Sequence, residues 1–165
     1  KICIGMTYLH LYLSREAILI HLFLEKSRKL DNFYCFKEIS ISSADDLLAD
    51  VDHFFPHLLK PDVANAGCCR PVNVDGVWNL VLSCAECNRG ESGKFAQVPT
   101  IELLERLHTR NEYLIGSHHP LRETLMMQTG TTERDRKYFL DKSYRFSKER
   151  LIHNWQPKPQ GLSIF

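Results

Sequence analysis

The spacing of apolar residues divides the chain into helical ends and a centre of short apolar runs. Ser14 is placed to cap a helix over residues 15–29, which keeps helical spacing and ends in a basic turn. Residues 33–54 show short apolar runs broken by Ser-Ser and Asp-Asp pairs, a pattern that predicts strand, turn and strand. Residues 77–82 follow an Asp-Gly hairpin signal and predict a further strand.

The C-terminal part of the chain has the pattern of three helices. Apolar positions keep helical spacing from Thr100 to Ile115, and Gly116 is placed to cap that helix. Two further helices are predicted over residues 121–127 and 133–152, followed by a loosely held, proline-containing tail. The prediction is therefore an α+β fold, with a small β-rich centre flanked by helices.

The same pattern predicts three regions along the chain. Residues 1–31 form an N-terminal helical extension, residues 32–99 form the central unit, and residues 100–165 form a C-terminal helical region. The length suits one ordinary domain, or a compact domain with helical extensions.

Charge and composition limit the classes of function. Lys and Arg number 21 against 20 Asp and Glu, so the chain has no global signature of a nucleic-acid-binding protein. Residues 134–150 carry seven basic and three acidic residues with aromatic residues between them. This segment fits either a surface that follows a phosphate backbone or an amphipathic helix with a solvated face. The uncharged stretch of residues 2–14 is too short to span a bilayer, so we expect a cytoplasmic protein with no membrane partner.

The six cysteines do not suggest a disulfide framework, because their spacing is uneven and no secretion signal precedes them. Cys84 and Cys87 form a C-x-x-C pair, which indicates a zinc knuckle or a redox pair in a reducing compartment. No βαβ pattern of the thioredoxin kind surrounds it, so the redox interpretation is the weaker one.

The centre collects residues suited to metal-assisted hydrolysis. Asp52 and His53 are adjacent at the end of a predicted strand, and Asn79 and Asn88 follow nine residues apart. Oxygen ligands from Asp52 and Asn88 suit a hard cation such as Mg²⁺ or Mn²⁺. A neutral histidine beside such a cation can deprotonate water near pH 7.

Three motifs in this order resemble the HNH, or ββα-metal, nuclease family. Residues 52–56 read Asp-His-Phe-Phe-Pro, residues 78–82 read Trp-Asn-Leu-Val-Leu, and residues 84–90 read Cys-Ala-Glu-Cys-Asn-Arg-Gly. The resemblance implies a small ββα-metal core with a β-hairpin and a zinc-knuckle-like turn. It also implies an enzyme that hydrolyses DNA phosphodiesters.

The resemblance also implies roles for individual residues. His53 would be the general base, and Asp52 and Asn88 would bind one catalytic Mg²⁺ or Mn²⁺. Asn79 would orient the loop and the imidazole from outside the metal's own ligands. Arg89 would contact substrate phosphate.

The activity implied is that of a restriction or phage-defence endonuclease module. Its partner would be DNA, together with other domains or subunits of a larger defence or restriction protein. The alternative is a catalytically inactive zinc-knuckle module that binds nucleic acid or protein.

Two departures from the family pattern concern the knuckle and the residue after Asn-Arg-Gly. Zinc-bearing relatives usually have a first C-x-x-C, but residues 32–35 read Asn-Phe-Tyr-Cys. Cys35, Cys84 and Cys87 therefore provide three thiolates for a structural Zn²⁺. The fourth ligand would be His57, Cys68 or Cys69, or the site would be empty.

The second departure is Glu91, which stands where relatives often have a lysine. Glu91 would add a carboxylate to the metal site, or Lys94 would take over the basic role in substrate binding.

Overall fold

The computed structural model describes residues 30–41, 48–60 and 73–158. Within these ranges the chain has three two-stranded sheets and four α-helices, which confirms the predicted α+β class. The predicted helix over residues 15–29 with its cap Ser14, and also Cys68 and Cys69, lie outside the described residues.

Two short strands precede the central hairpin. Strand β1 (Leu30–Asp31) pairs antiparallel with β2 (Glu38–Ile39), and the turn between them carries Asn32 and Cys35. Arg106 holds this turn by donating to the carbonyl oxygens of Phe33 and Tyr34.

The central hairpin consists of β3 (Asp50–His53) and β4 (Leu80–Ser83), which pair antiparallel with His53 opposite Leu80. All four residues of β4 are buried. The strand predicted over residues 77–82 is wrong at its start, because Val77–Asn79 form a turn of 3-10 helix. The Asn79 amide N–H donates to the Gly76 carbonyl, which closes that turn before the strand begins.

Helix α1 (Ala85–Arg89) follows β4 directly and contacts β3. Cys84 is its N-cap residue, and its sulfur accepts a hydrogen bond from the Cys87 amide at 3.4 Å. The end of β4 thus lies next to the start of α1, and α1 lies against β3.

The C-terminal helices are α2 (Ile101–Gly116), α3 (Arg122–Thr129) and α4 (Glu133–Lys148). The predicted cap role of Gly116 is wrong, since it is the last residue of α2 and Ser117, which follows it, has a negative φ. None of the helices in the described ranges has the length and apolar character needed to cross a membrane.

The end of α4 differs from the prediction, which extended it to residue 152. The helix ends at Lys148, and after five further residues the chain enters β6 (Asn154–Trp155), which pairs parallel with β5 (Val98–Pro99). Trp155 is buried and its indole N–H donates to the Ser92 carbonyl at 2.8 Å. The chain is therefore held against the central unit at Trp155, just before the predicted tail at Pro157–Pro159.

One hydrophobic core joins the central unit to the C-terminal helices. Trp78 packs edge-to-face against Phe139 of α4, and Phe55 lies against its other side. Leu107 of α2 and Leu125 of α3 are fully buried in the same cluster. The hairpin therefore packs against the C-terminal helices, and this packing fixes the position of its loops.

Candidate functional site

A cavity of about 270 Å³ opens at the C-terminal end of β3. Its lining includes Asp52, His53, Lys94 and Phe95. Residues of the 3-10 helix His57–Leu59, which follows Pro56, line it as well. The two adjacent residues of the Asp-His motif thus reach one cavity, as the motif requires.

Asp52 is buried, and two side chains bind its carboxylate. The Tyr34 hydroxyl donates to Oδ2 at 2.6 Å, and Lys94 Nζ lies 3.3 Å from the same oxygen. Burial raises the pKa of Asp52 above its ordinary value, while Lys94 and Tyr34 oppose that rise. The Tyr34 and Lys94 contacts use Oδ2, and the carboxylate also accepts a hydrogen bond from the His53 backbone amide.

Lys94 does not reach solvent as a substrate-binding lysine would. Its side chain is 1% exposed, and its ammonium group also donates to the Phe95 carbonyl at 3.2 Å. Burial lowers the pKa of Lys94, and the neighbouring carboxylate of Asp52 opposes the shift. Lys94 therefore neutralises Asp52 within the wall of the cavity.

His53 lies against a second histidine and a carboxylate. Its Nε2 is 2.8 Å from Nε2 of His57, and Asp75 Oδ1 is 3.8 Å from His53 and 3.2 Å from His57. Burial, with His57 as the next cause, lowers the pKa of His53 to about 4. The imidazole is therefore neutral at pH 7 and has a nitrogen lone pair that can accept a proton.

Asn79 holds the loop that follows His53 by hydrogen bonds to its backbone. Its Oδ1 accepts the Phe55 amide at 2.8 Å, and its Nδ2 donates to the carbonyls of Phe55 and Val74 at 2.9 and 2.7 Å. The side chain is fully buried. It therefore ties the end of β3 to the turn before β4.

Asn88 and Arg89 both contact Asp50, two residues before Asp52 on β3. Asn88 Nδ2 donates to Asp50 Oδ2 at 3.1 Å, and Arg89 forms a two-point ion pair with the same carboxylate at 2.8 and 3.2 Å. The amide group of Asn88 therefore faces Asp50, and its oxygen is not the atom used in this contact. Arg89, predicted to bind phosphate, is exposed but already paired.

The predicted zinc ligands Cys35, Cys84 and Cys87 lie together, with their sulfur atoms within 4.8 Å of one another. The fully buried side chain of Asn32 takes the place beside them. Its Nδ2 donates to Cys35 at 3.0 Å and to Cys84 at 2.8 Å, while its Oδ1 accepts the Tyr34 amide at 2.7 Å.

This arrangement leaves the thiol cluster without a fourth ligand from the described part of the chain. The amide nitrogen of Asn32 is a donor and cannot bind a cation. His57, named above as a candidate fourth ligand, lies instead against His53 and Asp75. Burial and the neighbouring cysteines raise the pKa of the Cys87 thiol, which opposes loss of its proton in the metal-free protein.

Sequence reasoning missed four residues of this region: Tyr34, Asp50, His57 as a neighbour of His53, and Asp75. Only for His57 did the local sequence indicate a position near His53, since it follows His53 by four residues with Pro56 between them. Glu91, considered as a further carboxylate ligand, is exposed and lines a different cavity of about 390 Å³ beside Trp155.

Comparisons with protein-family models, with curated proteins and with solved structures find no match to this chain. The resemblance to HNH nucleases therefore remains an interpretation of the three motifs.

Proposed function

We propose that this protein is a metal-dependent DNA endonuclease that uses His53 as its general base. The observation that carries the proposal is the position of His53, neutral at pH 7, beside Asp52 in one cavity at the end of β3. The order of β3, β4 and α1, with α1 against β3, supports it because it is the order that the three motifs imply.

The reaction is attack of water on a phosphodiester. The water oxygen bonds to phosphorus while its proton moves to a ring nitrogen of His53, and the bond from phosphorus to the 3′ oxygen breaks. The leaving oxygen takes a proton from solvent, so the products carry a 5′-phosphate and a 3′-hydroxyl. A base that is neutral at pH 7 needs no prior deprotonation for this step.

Asp52 and Asn88 are the residues that would hold Mg²⁺ or Mn²⁺. Asp52 places a carboxylate at the cavity, the described contact of Asn88 leaves its side-chain oxygen unused, and both ions prefer oxygen ligands. When bound, the ion would stabilise negative charge that develops on the phosphate oxygens. Tyr34 and Lys94 orient the Asp52 carboxylate, as residues around a metal ligand commonly do.

Two residues support the reaction without taking part in proton transfer. Asn79 keeps the loop of His53 in place through its three backbone hydrogen bonds. Arg89 would contact substrate phosphate if it exchanged its surface pair with Asp50 for the phosphate oxygens, and an exposed pair of this kind is weak.

The test is cleavage of supercoiled plasmid with Mg²⁺ or Mn²⁺, with and without EDTA. We expect metal-dependent nicking or linearisation that falls at least ~100-fold in His53→Ala, the usual contribution of a general base. His153→Ala removes an exposed histidine outside the cavity and is the matched control.

A catalytically inactive binding module would give a different result. It would bind DNA or a protein partner, but it would not cut with either cation. Cleavage by His53→Ala at the rate of the parent protein would contradict the proposed role of the histidine.

A further inference from the structure

The proposed reaction uses His53 but leaves its two closest polar neighbours, His57 and Asp75, without a role. The three donor atoms are Nε2 of each histidine and Oδ1 of Asp75, and their separations are 2.8, 3.2 and 3.8 Å. They come from three separate pieces of the chain: the end of β3, the 3-10 helix after Pro56, and the turn before β4. The tertiary fold thus makes them converge.

The separations are near those of ligands around a single transition-metal ion, with 3.2 Å inside the expected range and 2.8 and 3.8 Å just outside it. Ligands bound at about 2.1 Å in tetrahedral or octahedral geometry lie roughly 3.0–3.4 Å apart, close to what is observed. The rings of His53 and His57 stand at 78° to each other, so both nitrogens can face a point between them. The donor atoms would need to move only a few tenths of an ångström.

The type of donor selects the type of cation. Two imidazole nitrogens and one carboxylate oxygen suit Zn²⁺ and its neighbours in the first transition series, whereas Mg²⁺ prefers oxygen ligands alone. Lys60 Nζ binds the other oxygen of Asp75, Oδ2, at 2.7 Å and so holds the carboxylate in place with Oδ1 beside the imidazoles.

The site is open to solvent on one side. The side chains of His57 and Asp75 are 53% and 45% exposed, so an ion can enter and complete its coordination with water. The thiol cluster is a separate group that shares no residue with it.

We propose that His53, His57 and Asp75 form a zinc site, and that zinc bound there inhibits the nuclease by engaging its general base. A zinc ion on Nε2 uses the lone pair of that nitrogen, and the ring proton then sits on Nδ1. His53 has no nitrogen left to accept a proton from water. The inhibition rests on the proposed function, whereas zinc binding does not.

The binding test is a zinc titration of the whole protein against a chromophoric chelator, with His57→Ala and Asp75→Asn as variants. We expect each variant to bind this zinc equivalent at least ~10-fold more weakly than the parent, because one of three ligands is lost. Asp75→Asn keeps the size of the side chain, and thermal unfolding of each variant shows that it is folded. His153→Ala is the control and should bind zinc as the parent does.

A zinc equivalent with unchanged affinity in both folded variants would overturn the site, whatever the plasmid assay shows.

For the inhibition, cleavage with Mg²⁺ is compared with and without added zinc within each variant. We expect zinc to suppress cleavage by the parent strongly. The factor by which zinc suppresses cleavage by His57→Ala should be at least ~10-fold smaller. Undiminished cleavage by a parent protein saturated with zinc would overturn the inhibition. Failure of the parent to cleave with Mg²⁺ alone would instead count against the proposed function, and the titration would still decide the zinc site.

Discussion

Lys94 Nζ lies 3.3 Å from Asp52 Oδ2, and the side chains of both residues are buried. The pair joins β3 to the turn that follows α1, and both residues line the candidate site. Two charges removed from water in this way depend on each other, because either one alone would be an uncompensated buried charge.

The first prediction concerns this pair. Lys94→Met should lower the free energy of unfolding by about 3 kcal/mol, measured by urea denaturation at pH 7, because Asp52 loses its buried cation. Lys60→Met is the matched control, since Lys60 makes an ion pair with Asp75 at the surface. That control should lose less than about 1 kcal/mol. Equal losses in the two variants would show that the buried pair is not a stabilising unit.

The second prediction concerns Asn79. Asn79→Ala should lower the free energy of unfolding by about 3 kcal/mol, because three buried backbone groups lose their partners. Asn79→Asp should be at least as destabilised, since a carboxylate accepts the Phe55 amide but cannot donate to the two carbonyls.

The control for Asn79 is Asn111→Ala, which removes another buried amide. The described bond of that amide is a single one, to the Trp78 carbonyl, so we expect a loss of about 1 kcal/mol in the same urea experiment. If Asn79→Asp were as stable as the parent, the donated bonds of Asn79 would not matter for the loop.

The third prediction concerns the thiol cluster. Asn32→Cys should convert the three thiols into a four-cysteine site that retains one zinc per chain through purification, as measured by elemental analysis. Asn32→Ser removes the same amide without adding a thiol and is the control. If the parent protein already retained one zinc per chain bound by its cysteines, Asn32 would not be the residue that decides metal binding.

The fourth prediction concerns pH and the pair of Glu112 and Arg136. The guanidinium of Arg136 donates to both oxygens of Glu112 at 2.6 Å, and this bond lowers the pKa of Glu112 below its ordinary value of 4.5. A carboxyl whose pKa is lower in the folded state contributes stability that is fully present above its unfolded value. That contribution is lost as the pH falls through the folded value.

Glu112→Gln should therefore cost about 2 kcal/mol at pH 7, measured by urea denaturation. The difference from the parent should shrink as the pH is lowered below about 4. Glu149→Gln removes an exposed carboxylate 3.9 Å from Arg150 and should show no such dependence. A pH-independent difference for Glu112→Gln would mean that its charge is not what stabilises the helices.

Local patterns predicted most of the described helices. The cores of α2, α3 and α4 follow from apolar spacing, which depends on residues three and four positions apart. The ends were less well predicted, since α4 stops where β6 pairs with β5, and those strands are more than fifty residues apart in the chain.

The sequence motifs named several residues that the structure brings together. His53 and Asp52 share a cavity, and Asn79 bonds to the backbone of the loop after β3. Apart from His57, no signal in the sequence placed the partners of these residues against them. Tyr34, Lys94 and Asp75 lie 18 or more residues away along the chain from the side chains they contact.

The sequence by itself determined which chemical groups are available: an imidazole, a set of oxygen donors, three thiols and an amide where a fourth thiol would stand. It also determined the helices, because their periodicity is local. Only the tertiary structure decided that Lys94 is buried under Asp52, that Asn88 faces Asp50, and that His57 and Asp75 meet His53. These choices depend on how separate elements pack, and packing is set by contacts between distant residues that no local pattern contains.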